Sequence, residues 1–288
     1  MPNSVAGCFA ELVDRLGLTS AQATAASTHA KGIRDFFDGN FAMAERVFTI
    51  GSYRRNTIVR PERDIDLMAV LGYPANKALW EGGSRNFLTH IRNKLNNDYS
   101  KTVVSAREVA AVLKFTDIEA EVVPAFRREG GGFLIPDGKD GWLATNPPYH
   151  TTLIEDSDKA HDGRLKPLIR LIKFWNLVNA GHLRSFHVEL MVQEMWTGLQ
   201  IPSATSAAVT STLGVLASWI KPQRTDPWPS GGRIDSYLKS DERQTAMNIA
   251  GEDAKASVQA EEYRVASNIA KAVERWQVVF RHEFPALS

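Results

Sequence analysis

The chain has 288 residues, 43% hydrophobic and 23% charged, enough apolar material for one large domain or two modest lobes and too much for a disordered chain. Its 34 basic and 33 acidic residues leave a net charge of +1, which excludes the global field of a nonspecific nucleic-acid binder and makes any polyanion site a local one. The single cysteine, Cys8, excludes an internal disulfide framework and a cysteine-based zinc site, and fits a reducing compartment.

Residues 1–17 carry no positive run ahead of an apolar core, and Glu11 and Asp14 interrupt the hydrophobic residues, so no signal peptide is expected. No segment approaches the roughly eighteen unbroken apolar residues of a membrane span, and a soluble, cytoplasmic protein is expected. A short helix is predicted near residues 8–16. Ser20 is read as the N-cap of a second helix over 21–37, with Asp38-Gly39-Asn40 as its stop.

Residues 45–50 then read as a strand that enters a Gly51-Ser52 turn, and Asp64–Leu71 as the strand that follows the loop. Residues 78–97 carry apolar side chains at helical spacing, after which 102–105, 108–115 and 117–126 read as strands. The glycines at 130–132 and the prolines and glycines up to Pro148 predict a loop-rich passage. Beyond it, helices are expected over 165–178, 186–197, 203–220 and 241–282. A mixed first half and a helical second half make the fold class α+β, with lobes at 1–155 and 156–288.

On a strand, residues two apart face the same side, so Asp64 and Asp66 project together while Ile65 and Leu67 pack behind them. Like charges held so close favour a hard divalent cation between them, although a solvated edge strand is the bland alternative. Asp117, Glu119 and Glu121 also alternate, and would share the face if the two strands are neighbours. Gly51 permits a tight turn and close approach to a phosphate, which Ser52 can bind; an ordinary turn is the alternative. The arginines at 54, 55, 60 and 63 are assigned no catalytic role, and His90, His150 and His187 read as structural or surface residues.

Gly51-Ser52, eleven residues, Asp64-Ile65-Asp66-Leu67 and a carboxylate strand ending in residues 122–125 together resemble the nucleotidyltransferase superfamily with the DNA polymerase beta fold. Within it the likeness is to the CD-NTases, the cGAS/DncV-like nucleotidyltransferases. The resemblance implies a two-lobed fold, with the active site in the cleft between a mixed-sheet catalytic lobe and a helical lobe. It implies Asp64, Asp66 and Glu121 as ligands of two Mg²⁺ or Mn²⁺ ions, with glutamate at 121 where the branch more often carries aspartate.

The helix containing Lys173-Phe174-Trp175, followed by Ser185-Phe186-His187-Val188-Glu189, resembles the helical lobe of the same branch. There a lysine and a serine hold the triphosphate and an aromatic ring stacks on a base, which implies Lys173, Ser185 and Phe186. On the residues alone, the Lys166, Arg170 and Lys173 stripe reads as a solvated face, Phe186 as core and Ser185 as an N-cap. The implied activity is synthesis of a cyclic or short linear oligonucleotide messenger from NTPs in bacterial CBASS antiphage signalling, read out by an effector protein. The animal sensors' Cys/His-rich zinc insertion is missing, so activation by DNA through it is not expected. Transfer to an RNA end or a protein, and a catalytically silent nucleotide-binding module, are the alternatives.

Overall fold

The computed structural model describes residues 2–61 and 64–287. Eleven helices and seven strands are assigned among them: α1 Val5–Leu16, α2 Ser20–Asn40, β1 Phe48–Ile50, α3 Gly51–Arg55, β2 Asp64–Leu71, α4 Lys77–Glu81, α5 Ser84–Asp98, β3 Val103–Ala106, β4 Ala111–Lys114 and β5 Glu119–Arg127. The chain continues with β6 Phe133–Pro136, β7 Trp142–Thr145, α6 Pro147–Ala160, α7 Leu165–Val178, α8 Ser185–Met195, α9 Thr205–Ile220, α10 Ser240–Val265 and α11 Ile269–Val279. The expected α+β class, a mixed sheet followed by helices, is what the chain adopts.

The sheet runs β1-β2-β5-β4-β3, with β6 on the far end of β5 and β7 beyond it. β2 and β5 are parallel and neighbours, with Asp64 opposite Glu119 and Asp66 opposite Glu121. Both strands divide their side chains by the period of two. Ile65, Leu67, Ala69 and Leu71 of β2, with Ala120, Val122 and Phe126 of β5, point into a core covered by Ala30, Ile33 and Phe37 of α2 and Phe87, Ile91 and Leu95 of α5. Each large side chain buried there contributes about 1.5–3 kcal/mol. On the opposite face Met68, Val70, Val123 and Ala125 join a smaller cluster with Ile50, Phe133 and Ile135. The four carboxylates occupy that same face at the N-terminal ends of both strands.

The second core gathers α7 to α11 around Trp175 and Trp276, and α1 belongs to it: Phe9 sets its ring edge-on to Trp276 at 4.8 Å. A division at 155/156 passes through α6 and assigns α1 to the other half. Among the described residues no helix is long and apolar enough to cross a membrane.

Several local expectations need correction. Thr19, not Ser20, caps α2, in a capping box with Gln22, and the helix runs on through Asn40. The segment after Ile50 is a short helix rather than an open turn. Gly82-Gly83 splits the predicted 78–97 helix in two, and Ser267 at φ 59 with Asn268 as the next cap splits the last one. The loop-rich passage contains the β6–β7 hairpin and α6, whose Pro147-Pro148 start is helix-compatible because the first turn's N–H groups are free of intrahelical bonds.

Candidate active site

The site is built where β1 hands over to α3. Gly51 sits at φ +66, and a Cβ there would lie 1.8 Å from Asp66 Oδ2, so only glycine lets the chain pass this close to the second aspartate. α3 ends at Asn56 in the left-handed conformation (φ 58), which turns the Thr57 carbonyl toward the helical half. The Lys173 ammonium donates to that carbonyl oxygen at 2.8 Å and to Glu189 Oε1 at 3.1 Å. Arg55 Nε donates to Glu189 Oε2 at 2.6 Å, so one fully buried carboxylate joins a cation from each half. Burial pushes Glu189 up, but the Arg55 and Lys173 charges outweigh it and hold the carboxyl below its ordinary range.

Asp66 has the opposite balance. Burial, reinforced by the neighbouring Asp64 charge, pushes it up to about 7, against partial offsets from Arg55 and Lys173. Neither Asp64 nor Asp66 has an ion-pair partner among the described residues. Glu121, beside Asp66 in the sheet register, is paired with the Arg107 guanidinium, whose other nitrogen donates to Glu119 Oε1 at 2.5 Å. Asp117 lies before β5 and accepts from His29 at 2.9 Å, apart from the other four acids.

A cavity of about 440 Å³ opens between the halves, and Gly51, Ser52, Asp64, Asp66, Ser185 and Phe186 all line it. Arg55, Glu189, Thr145, Pro147 and His150 also line it, with Ile50 and Val109. Ser185 is the first residue of α8, not its N-cap, and also lines a smaller cavity of about 160 Å³ with Lys173. Phe186 is half-buried and outside the apolar core: the His150 ring lies 4.8 Å from its centroid and the Arg55 guanidinium 5.4 Å. Lys173 is buried and internally bonded, not part of a solvated stripe. Of the eight residues singled out from sequence, six share the cleft, Glu121 flanks it under Arg107, and Lys173 lies behind its wall.

Among the described residues no three His, Cys, Asp or Glu side chains gather closely enough to hold a metal ion. The aspartate pair nevertheless fits a hard divalent cation, because neither carboxylate has an ion-pair partner among the described residues and burial beside Asp64 pushes Asp66 up to about 7. Glu121 could join them only by exchanging Arg107.

Arg107, Arg55, Glu189 and His150 were missed as site residues. The arginine at 55 was visible, but its partner lies 134 residues away. Arg54 pairs with Glu155 at 3.0 Å, Arg60 Nε donates to the Arg15 carbonyl at 2.7 Å, and Arg63 lies outside the described residues. His150 and His187 are both buried.

Residues 4–158 match the family described as the Second Messenger Oligonucleotide or Dinucleotide Synthetase domain. The chain is 29% identical over 265 residues to a cyclic AMP-AMP-AMP synthase of an Acinetobacter strain, covering 83% of this chain and 72% of that protein. The structure of E. coli MS115-1 CdnC with ATP shares the fold, with a TM-score of 0.79 over 97% of this chain and 98% of that one at 17% identity. A shorter match, 29% identical over 124 residues, covers 43% of this chain and 27% of the CCA-adding enzyme of Saccharolobus islandicus.

Proposed function

The chain belongs to the second messenger oligonucleotide or dinucleotide synthetase family and is a nucleotidyltransferase, and from that premise we propose that it joins NTPs into a cyclic or short linear oligonucleotide messenger in a metal-dependent reaction. The observation that carries this reading is the aspartate pair without an ion-pair partner among the described residues, in one cleft with two serines and a half-buried aromatic ring.

A ribose hydroxyl of one nucleotide attacks the α-phosphorus of another and gives its proton to solvent, the new O–P bond forms as the bond to the β-phosphate oxygen breaks, and pyrophosphate leaves. Asp64, Asp66 and, once released from Arg107, Glu121 would be the oxygen donors for two Mg²⁺ or Mn²⁺ ions. Bound there, divalent cations supply charge neutralisation on the attacking and leaving oxygens and a lower hydroxyl pKa. Ser52 and Ser185 donate hydroxyl hydrogen bonds to β- and γ-phosphate oxygens from the two walls of the cleft. Lys173, fixed by Thr57 and Glu189, adds positive potential behind them. Phe186 offers a base its ring face.

In this reading the protein works in the cytoplasm as the synthase of a CBASS antiphage system, and its product binds an effector protein. The test is incubation with four labelled NTPs and Mg²⁺ or Mn²⁺, phosphatase treatment, and mass spectrometry of what survives. A phosphatase-resistant oligonucleotide, lost in Asp64→Ala and Asp66→Ala, is expected. Unchanged synthesis in those variants would defeat the assignment.

Transfer of a nucleotide to an RNA end is a second reading, favoured by the partial match to a CCA-adding enzyme. It requires NTP consumption that appears only when tRNA is added.

A further inference from the structure

The stretch joining α9 to α10 folds back on itself as a small hairpin. Thr225 bridges Arg233, Asp226 N–H donates to Gly232 O at 2.9 Å, and Ile234 N–H donates to Arg224 O at 3.0 Å. Although it issues from the helical half, its tip is seated on the sheet half. Trp228 packs over Gly132, where a Cβ would lie 2.5 Å from the indole and 2.8 Å from the Thr145 carbonyl, while Gly132 itself holds φ +72. The three-glycine turn at 130–132 thus provides a socket for a tryptophan from the other half.

Asp226 connects the hairpin to the cleft. Its Oδ1 accepts from the Trp228 backbone N–H at 2.8 Å and bonds His150 Nε2 at 2.7 Å. Both side chains of that pair are buried, at 9% and 5% exposure, so the contact is shielded from solvent competition. Tyr149 Oη adds a hydrogen bond to the Pro227 carbonyl at 3.3 Å. The His150 ring then meets Phe186 at 4.8 Å with a 59° tilt, at the cleft wall.

We propose that the hairpin over 224–234 is a clasp between the halves that, through Asp226 and His150, positions the Phe186 ring for a nucleobase. His150 and Asp226 are then positioning residues for the nucleotide. Trp228 in its glycine socket fixes the distance across which they act. The inference rests on the cleft being the nucleotide site, as proposed above, and adds what sets the geometry of its aromatic wall.

The link is tested by calorimetric binding of the α,β-methylene analogues of the four NTPs with Mg²⁺, whose bridge resists cleavage, in wild type, Asp226→Ala, Phe186→Ala and the double variant. A base stacked on one ring gains affinity from its alignment, so partial loss of that alignment should weaken binding about three- to tenfold in Asp226→Ala. In the Phe186→Ala background the same substitution should change affinity less than about twofold, because residues acting through one another are non-additive. An equal loss in both backgrounds, or none in the presence of Phe186, overturns the clasp.

Should Asp226→Ala fail to fold, His150→Gln probes the same link with the Asp226–Trp228 bond intact, and the same outcomes apply. Wild type that binds no analogue overturns the nucleotide reading of the cleft and the clasp with it, whereas wild type that binds no better than Phe186→Ala overturns the clasp alone. In steady state the Asp226 effect should fall on KM more than on kcat, because the ring contacts the base and not the reacting atoms.

Discussion

Glu189, fully buried, and Asp66, half-buried, are acids on opposite walls of the same cleft, and their surroundings drive them in opposite directions. Glu189, with no exposed surface, is met by Arg55 and Lys173 and stays ionised below its ordinary range. Asp66 is met by Asp64 and is pushed up to about 7. Burial acts the same way on both, so counter-charge decides the difference. Glu189 is electrostatically complete within the chain, as a structural group is. Asp66 is incomplete until a proton or a cation arrives, which is the state expected of a group kept for a ligand.

The sharpest way to break that contrast is to neutralise each acid in turn. Asp66→Asn should cut oligonucleotide synthesis at least about a thousandfold, since cation-borne stabilisation of transition-state charge is worth several kcal/mol and about 1.4 kcal/mol is a factor of ten. Without added metal at pH 7.5, above the Asp66 pKa, its melting temperature should hold or rise, because a repulsion with Asp64 is removed. Parallel loss of stability would put Asp66 in the same class as Glu189. Glu189→Gln should do the reverse and destabilise by about 3–5 kcal/mol, because two buried cations lose their shared carboxylate. Urea unfolding measures it, and a midpoint within error of wild type would deny the network its structural role.

The Asp66 side of this comparison was legible in the sequence, whereas the Glu189 side was not. Asp64 and Asp66 alternate with Ile65 and Leu67, and Glu119 and Glu121 alternate with Ala120 and Val122, so strand periodicity alone separates an acidic face from an apolar one. Glu189 reads as one of several polar residues in a helix of mixed character, and nothing local announces Arg55 as its partner. Arg107 was hidden for a related reason: it reaches Glu121 only because a hairpin folds β3 and β4 back against β5. The β6–β7 hairpin and α6 were lost among glycines and prolines, since four-residue strands give too few alternations to register and Pro147-Pro148 imitates a loop. The α1 helix was placed by sequence order, but Phe9 and Leu12 pack with the last helices of the chain.

Titration offers a smaller but more direct measure of the contrast. In the folded protein Asp66 keeps its proton up to about pH 7, whereas in the unfolded chain it releases it near the ordinary carboxylate value of 3.8. The native state therefore binds the extra proton between those values. Asp66 contributes stability that is full below about pH 4 and is lost as pH rises through about 7. With EDTA present, wild type should lose stability relative to Asp66→Asn between pH 5 and pH 7.5, followed as the difference in their urea midpoints. Adding Mn²⁺ at pH 7.5 should restore wild type and leave the variant unchanged. A midpoint difference that does not move with pH would mean that Asp66 is balanced after all.

The smallest effect is expected at the edge of the site, where the contrast between a completed group and one awaiting a ligand concerns shape instead of charge. Phe186 is flanked by His150 and Arg55 on the protein side and has its remaining surface toward the cleft. A flat ring is what a base needs for stacking, so Phe186→Tyr should keep KM and kcat within about threefold of wild type, while Phe186→Ala forfeits the roughly 1–3 kcal/mol of one stacked base. The paired measurement separates two roles for the side chain. If Tyr behaves as well as Phe, the ring plane is the functional surface. If Tyr is as poor as Ala, the added hydroxyl has disturbed the fit against His150 and Arg55, and Phe186 is a packed wall residue completed by the chain, on the same footing as Glu189.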